Sequence, residues 1–569
     1  MLGRVKRYAV PLAVCVACAL VAAPAWAAVE LTEFSVQPAN PRAGGHPDVT
    51  IVQRMGYSDR NDDVRDSFVR LAPGLLGNPQ NAAFCGPQDF AADRCPAGSQ
   101  VGSVSAKVTA FALPAPLPGT NLTVPGAVYN LPPEAGEPAR VGLVLRPTTA
   151  PLVGEKVFLE APAVLRPGLD GIGLESLFAE QPRTTSALIS ALNTQITEVA
   201  LTFRGQAGRG PFMRLPTSCA EAVSVGRASS YDSPAVSQST SAFTPTDCGA
   251  LPFSPRTSGV VGAPGMTRAG DSPPVSATLH FDPEEAALRR AEVVLPPTLQ
   301  PNQPALARIT CSRELANASA CPESSRVGTA IIDSPLQAAP VRGPVYIAFN
   351  TPAAFPGLIV ILPPPVGIRL DATVETGGFG TRNVFPSNPD LPVRSFTLQF
   401  DAGPDSPLVL TRDLCNPRTN IAIEATLVSH SGKRVQARQQ PATPGCDPRA
   451  AVSIRRRGRR AKLVARLSAA REGPDMTAAS LALPRPLRRG SRGPLVYIGK
   501  RRLVPRSGLR NASIALPGPA RSAVVVWRGL RAGPKLRRLT RVVVKITDSR
   551  GQTTRLRPTV RVRGRRPPA

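Results

Sequence analysis

Apolar and polar residues alternate at period two through much of the chain, as in Ile196-Thr-Glu-Val-Ala-Leu-Thr-Phe203, and short apolar runs such as Leu358-Ile-Val-Ile-Leu362 lie between proline-containing breaks. Period two sends successive side chains to opposite faces of a strand, and a short apolar run between breakers fits a strand buried on both faces. Long amphipathic helical periods are absent. The one helix predicted runs from Thr185 to Leu192 after Pro182, with Ala187, Leu188, Ile189 and Leu192 on one face. The 64 Pro and 47 Gly interrupt helices and punctuate strands. The pattern therefore predicts an all-β fold of tandem β-sandwiches, immunoglobulin-like or jelly-roll-like, and excludes a parallel α/β sheet.

The same pattern occurs twice. RAGGHPDVTI from Arg42 is matched by RAGDSPPVSA from Arg268, and VRDSFVRLAPGLL from Val64 by LRRAEVVLPPTL from Leu288. Cys85 and Cys95, followed by Pro96, answer Cys311 and Cys321, followed by Pro322, with nine residues inside each pair. SQVGSV from Ser99 then answers SRVGTA from Ser325, VPGAVY ending at Tyr129 answers VRGPVY ending at Tyr346, and ITEVALTF ending at Phe203 answers VRSFTLQF ending at Phe400. Each copy closes with two more cysteines, Cys219 and Cys248 in the first, Cys415 and Cys446 in the second. Order, spacing and residue type agree together, which marks an internal duplication.

The first copy is longer by 20 positions between its Tyr129 and Phe203 than the second between Tyr346 and Phe400. An insertion near residues 165–195 accounts for this, either as a specificity-bearing loop or as a lid over a core edge. The chain divides by these signs into residues 1–27, a first β unit at 28–250, a linker at 251–267 rich in Gly, Ser and Pro, a second β unit at 268–450, and a β domain at 451–569.

Arg4, Lys6 and Arg7 precede an apolar run from Tyr8 to about Ala23 and the sequence Ala25-Trp26-Ala27. This is the form of a secretory signal peptide cut after Ala27, and Cys15 and Cys18 fit a lipobox poorly. No later run is long enough for a transmembrane helix, so the mature chain is expected to be secreted or held at the cell surface. Eight cysteines outside the signal, four per copy, then favour disulfides over metal ligation, and proximity suggests Cys85–Cys95, Cys219–Cys248, Cys311–Cys321 and Cys415–Cys446.

Charge changes the picture at the C-terminus. Residues 451–569 hold 32 of the 68 Lys+Arg and only Glu472, Asp475 and Asp548 among the 39 acids, whereas the preceding residues are neutral. Apolar and basic residues alternate in Arg541-Val-Val-Val-Lys-Ile546 and Arg555-Leu-Arg-Pro-Thr-Val-Arg-Val-Arg563, with a hairpin signal at Asp548-Ser-Arg-Gly551. A β-sandwich coated with Arg is expected, and MTAASLALPRPL from Met476 suggests a diverged, cysteine-free relative of the two copies. Arg541, Lys545, Arg555, Arg557, Arg561 and Arg563 are the candidate polyanion-binding residues, with an anionic cell-wall polymer or polysaccharide as the partner. A solvated Arg surface set by genome composition is the competing reading, since only eight of the basic residues are Lys. Trp527 and Tyr497 are the domain's only aromatics, so base stacking and specific nucleic-acid binding are not expected.

Catalytic and cofactor motifs were not found. The three His, at 46, 280 and 430, fall in no metal-ligand spacing, and His46 and His280 have no His counterpart in the other copy. Gly270-Asp271-Ser272 has Gly44-Gly45-His46 as its counterpart, which argues against a nucleophile block, and Leu117-Pro-Gly-Thr120 reads as a turn. Asp59, Asp62 and Asp63 read as solvated loop acids or a weak Ca²⁺ loop. No cofactor or metal is expected, and the alternative to a binding protein is a secreted carbohydrate-active enzyme working through carboxylates.

The Cys-x9-Cys-Pro element at Cys85 and Cys311, the Ser-x-Val-Gly that follows and the Gly-x-Val-Tyr at Tyr129 and Tyr346 resemble those of uncharacterised exported Cys-containing β-repeat proteins of high-G+C Gram-positive bacteria. The resemblance spans roughly residues 40–450 and implies neither an activity nor a catalytic residue.

Overall fold

A computed structural model describes residues 29–564 apart from 60–61, 113–118, 149–153, 155, 169–170, 182–191, 350–354, 379, 417, 471–472, 535, 537–538, 550 and 552. The signal-peptide segment lies outside the described residues. So does the predicted helix, except Leu192, which is extended and opens a strand opposite Ala112.

Eleven strands of the first unit form one antiparallel sheet: β1 (Val29–Pro38), β2 (Val49–Tyr57), β3 (Val64–Arg70), β4 (Gln100–Ala112), β5 (Thr120–Leu131), β6 (Ala139–Leu145), β7 (Val157–Gly168), β8 (Gly171–Phe178), β9 (Leu192–Phe203), β10 (Ala222–Ser230) and β11 (Val236–Phe243). Their order is β1-β2-β9-β4-β5-β6-β7-β8-β3-β10-β11. The sheet curls until its ends meet. Leu31 and Val36 of β1 donate backbone N–H groups to Ser237 and Ser241 of β11, both at 2.9 Å. Serines along the last strand thus satisfy an edge that would otherwise be open, leaving a nearly closed barrel.

The second unit repeats this order strand for strand: β12 (Arg256–Val261), β13 (Val275–His280), β14 (Leu288–Leu295), β15 (Arg326–Asp333), β16 (Val341–Ala348), β17 (Gly357–Ile361), β18 (Arg369–Gly377), β19 (Gly380–Phe385), β20 (Ser395–Phe400), β21 (Ile423–Ser429) and β22 (Arg434–Gln439), in the order β12-β13-β20-β15-β16-β17-β18-β19-β14-β21-β22. Two sequence expectations change here. The segment 251–267, linker-like in composition, contains β12, which pairs along its length with β13. The 20 additional residues of the first copy do not form one loop, because they also lengthen strands: β7 and β9 each have 12 residues where β18 has 9 and β20 has 6.

The duplicated motifs are packing devices. Gly102 and Gly328 of the two Ser-x-Val-Gly elements sit where a Cβ would strike the carbonyl oxygens of Thr202 and Gln399 on the neighbouring strand, and Gly126 and Gly343 where it would strike those of Val144 and Ile361. Each Cys-x9-Cys loop is closed by its disulfide, Cys85–Cys95 or Cys311–Cys321. Each holds a one-turn helix, Pro87–Ala91 or Arg313–Asn317, against the sheet's outer face. Phe90 of one helix packs with Tyr129 and Val144 of the sheet, and Ala316 of the other with Tyr346 and Ile359. The second bridge of each copy, Cys219–Cys248 or Cys415–Cys446, ties together the two ends of the last hairpin.

The two units meet through buried polar contacts. Thr217 donates its N–H and its hydroxyl to the Asp390 carboxylate, both at 2.7 Å, and its hydroxyl accepts from the Ala287 N–H. Arg214 donates to the Glu285 carbonyl at 2.8 Å. Burial lowers the pKa of Arg214, with Asp390 and Glu284 opposing that effect.

The last domain starts at once with β23 (Arg449–Arg457), followed by β24 (Arg460–Ser468), β25 (Met476–Ala482), β26 (Pro494–Ile498), β27 (Asn511–Ala520), β28 (Ser522–Ala532), β29 (Leu539–Arg541), β30 (Val543–Asp548), β31 (Thr553–Leu556) and β32 (Thr559–Arg563). One sheet contains β26-β28-β24-β23-β32-β29, the other β27-β25-β30-β31. Between them Trp527, Leu463, Val525, Val544 and Ile546 are wholly buried. This two-sheet topology differs from the single curled sheet of the repeats, so the expectation of a third, diverged copy does not hold. The Leu-Pro echo at Met476 reflects only a buried strand running into a turn.

Candidate polyanion-binding surface

The six nominated basic residues are all exposed, as the alternation requires. They do not, however, share one face. Lys545 of β30 stands opposite Arg555 of β31 on the smaller sheet, whereas Arg541 of β29 and Arg561 and Arg563 of β32 belong to the larger. The break falls at Arg557-Pro558. The Arg555–Arg563 run, which reads as one strand, ends its pairing at Leu556 and resumes at Thr559 in the other sheet. Pro558 has no N–H to donate to a ladder, and its carbonyl instead accepts from Val542.

The densest cationic array lies elsewhere on the larger sheet. Arg563, Arg455 and Lys462 are cross-strand neighbours over β32, β23 and β24, and Arg457, Arg460 and Arg531 form the adjacent row over β23, β24 and β28. All six are exposed. Neighbouring strands lie about 4.8 Å apart and alternate residues along a strand about 6.8 Å apart, so this is a lattice of positive charge in two staggered rows of three over four strands. Among the described residues none of the six forms an ion pair with a carboxylate. The β23–β24 hairpin that creates it turns at Gly458, whose φ of 58° suits glycine. Only Arg563 was nominated from sequence. The run Arg455-Arg-Arg-Gly-Arg-Arg460 carried the signal for the rest, because a turn at its Gly brings its two arms side by side.

Like charges directly opposite across strands destabilise a sheet by a fraction of a kcal/mol per pair. The array alone keeps four such pairs, Arg455 with Arg563, Arg455 with Lys462, Arg457 with Arg460 and Arg460 with Arg531. The buried core around Trp527 offsets that cost. Trp527 being buried and Tyr497 half-buried, the lattice has no aromatic platform beside it.

The other sequence candidates are structural. His46 joins the units, its Nδ1 at 2.7 Å from the Met213 carbonyl and its Nε2 at 2.8 Å from Glu284. His280 meets Ser258, and His430 meets the Asn388 carbonyl. The acidic cluster is not a set of solvated loop acids. Asp59 is exposed, but Asp62 and Asp63 are buried. Asp62 accepts from the Asp63 and Asp232 N–H groups, and Gln195 holds the carbonyls of Asp59 and Asp62, which draws the loop inward. Among the described residues no three His, Cys, Asp or Glu are placed to hold a metal ion, and no helix is long and apolar enough to cross a membrane.

No family model and no curated protein matches the chain. Among solved structures, a putative membrane anchored protein from Corynebacterium diphtheriae is 10% identical, with 82% of this chain and 98% of that one covered and a TM-score of 0.17. The Enterococcus faecalis MSCRAMM ACE is 9% identical over 55% of this chain and 95% of its own, TM-score 0.17. The S. aureus collagen adhesin CNA is 6% identical over 55% and 92%, TM-score 0.16. Likenesses at such TM-scores carry no weight for the fold or the ligand of this chain.

Proposed function

We propose that the protein is an exported, non-catalytic envelope protein that attaches through its C-terminal domain to an anionic wall polymer or polysaccharide. The lattice of Arg455, Arg457, Arg460, Lys462, Arg531 and Arg563 carries this reading. Six cations on a rigid sheet face, with no carboxylate ion-paired to them among the described residues, match a polymer that presents phosphate or carboxylate groups at short intervals. Export is supported by the signal-like N-terminus and by four disulfides, which persist in oxidising compartments. No observation singles out two carboxylates for the hydrolase alternative.

Co-sedimentation of the full mature chain with Gram-positive wall material tests the reading. Binding should fall steeply as salt rises past the range where the screening length is about 8 Å. It should be lost in the Arg455→Glu/Arg460→Glu/Arg531→Glu variant. Salt-insensitive binding, or a triple variant that folds and binds like the parent, would refute it.

A further inference from the structure

The interior of the second unit is not filled as a β core usually is. Phe396, Leu398 and Phe400 of β20 and Ala277 and Leu279 of β13 point inward yet are only half-buried, because they border a cavity of about 170 Å³. Cavity walls come from all eleven strands, from Thr257 on β12 through Ile332, Leu358 and Leu370 to Gln439 on β22. Walls from every strand place the cavity within the barrel interior.

The first unit has its own cavity, of about 100 Å³, at the corresponding place. Ladder register equates the walls: Val69 with Val293, Phe178 with Phe385, Leu201 with Leu398 and Phe203 with Phe400. Ile51 corresponds to Ala277, a smaller side chain that widens the second cavity. The cavity thus recurs at matched positions, with four of these five wall residues identical, in two copies that have exchanged side chains elsewhere. Leu165, Leu336 and Gln337 are walls common to both cavities, and Leu336 and Gln337 lie on the loop after β15.

We infer that the cavity of the second unit binds a small uncharged apolar group, such as the terminal few carbons of an acyl or isoprenoid chain, with the rest of the chain and any head group outside. Its walls are mainly aliphatic and aromatic, and its charged residues are two carboxylates, Asp282 and Glu285, with Asn383, Asn388 and Gln439 among the neutral polar ones. No Lys, Arg or His lines either cavity among the described residues, so nothing there would neutralise a buried carboxylate or phosphate. Apolar cavities of about 150 Å³ stay dry and take up hydrocarbon ligands. The site is separate from the cationic lattice, and neither depends on the other.

Titration of the full mature chain with a neutral fluorescent monoacylglycerol tests the inference. Saturable binding is expected, unaffected by salt and by the Arg455→Glu/Arg460→Glu/Arg531→Glu variant. Ala277→Phe and Ala425→Leu each put carbon into the cavity, and each should weaken binding about tenfold or more while leaving the melting temperature equal or higher. Gln399→Ala, on the outward face of β20, should bind as the parent does. Should Ala277→Phe fail to fold, Ala425→Leu and Ala291→Val carry the same comparison. Absence of saturable binding by the parent chain, or undiminished binding in folded cavity-filling variants, would overturn the inference.

Discussion

The two copies solve one packing problem with different chemistry. In each, a disulfide-closed loop must be pinned to the outer face of the sheet. Its last turn passes through a residue in the left-handed region at the same position, Asp93 in the first copy and Ser319 in the second, both with φ of 54°. In the first copy that residue is a carboxylate clamped by Arg146 and by Lys156, the latter at 2.7 Å. In the second, Arg369 approaches from β18 and donates to the Ala316 carbonyl at 2.6 Å and to the Ser319 hydroxyl at 3.0 Å. Phe158 occupies the sheet position of Arg369 and stacks edge-on against Phe90. Duplication has preserved the geometry of the loop and its covalent closure, while the side chains that hold it down have been exchanged. The bridge and the sheet therefore specify the structure, and the clamp adjusts its stability.

Cutting the bridges tests that ranking and gives the largest expected effect. In the chain-entropy account a closed loop of about 10 residues contributes about 3 kcal/mol, and one of about 30 residues somewhat more. Cys311→Ser/Cys321→Ser should thus lower the second unit's stability by about 3 kcal/mol, read by thermal or denaturant unfolding. Cys85→Ser/Cys95→Ser should cost no more, because the Asp93 clamp still holds the first loop. A first-copy variant that proves much the less stable of the two would reverse the assigned order of bridge and clamp.

The clamps differ in acid sensitivity. Hydrogen bonds from Arg146 hold the Asp93 carboxyl down to a pKa of about 2, helped by Lys156. A carboxylate depressed in the folded state contributes stability that is fully present above its ordinary pKa and is lost as pH falls through about 2. The Ser319 hydroxyl has no such titration. Asp93→Asn should cost about 2 kcal/mol at neutral pH, with the deficit closing toward pH 2, whereas Ser319→Ala should cost about 1 kcal/mol with no carboxylate of its own to titrate. Paired unfolding curves from neutral to acid pH check this. A deficit for Asp93→Asn that persists unchanged in acid would remove the ion pair from the account.

The duplication, the strands and the cysteine frame were legible because each rests on local pattern: period two, Gly and Pro breaks, and residue spacing. What the sequence hid is set by pairing between distant segments. Nothing local tells that β12 joins a sheet, since Thr257 and Gly259 resemble linker residues until β13 lies beside them. Nor does alternation tell which sheet a strand joins, so Arg555 and Arg563 looked like one face until Pro558 separated them. Burial of Asp62 was invisible for the same reason, its partners Asp232 and Gln195 being far along the chain. Both cavities were hidden too, because an apolar residue facing a cavity and one facing a packed neighbour read alike.

The junction between the copies holds the smallest predicted effect and a test of what makes them one body. Two kinds of contact cross it. Thr217 and Asp390 are buried and doubly hydrogen-bonded, so removing either leaves a polar group without its partner away from water. His46 and Glu284 also meet across it, but the Glu284 side chain is 64% exposed and free to exchange its partner for solvent. An exposed pair of this kind is worth about 0.2 to 1 kcal/mol. A double-mutant cycle with His46→Asn and Glu284→Gln should accordingly show a coupling of about 0.5 kcal/mol, whereas Thr217→Val alone should cost about 2 kcal/mol. If the outer pair proved the stronger, the copies would be joined at their surface. The buried Thr217–Asp390 contact would then be packing left by the duplication and not the joint that fixes one unit on the other.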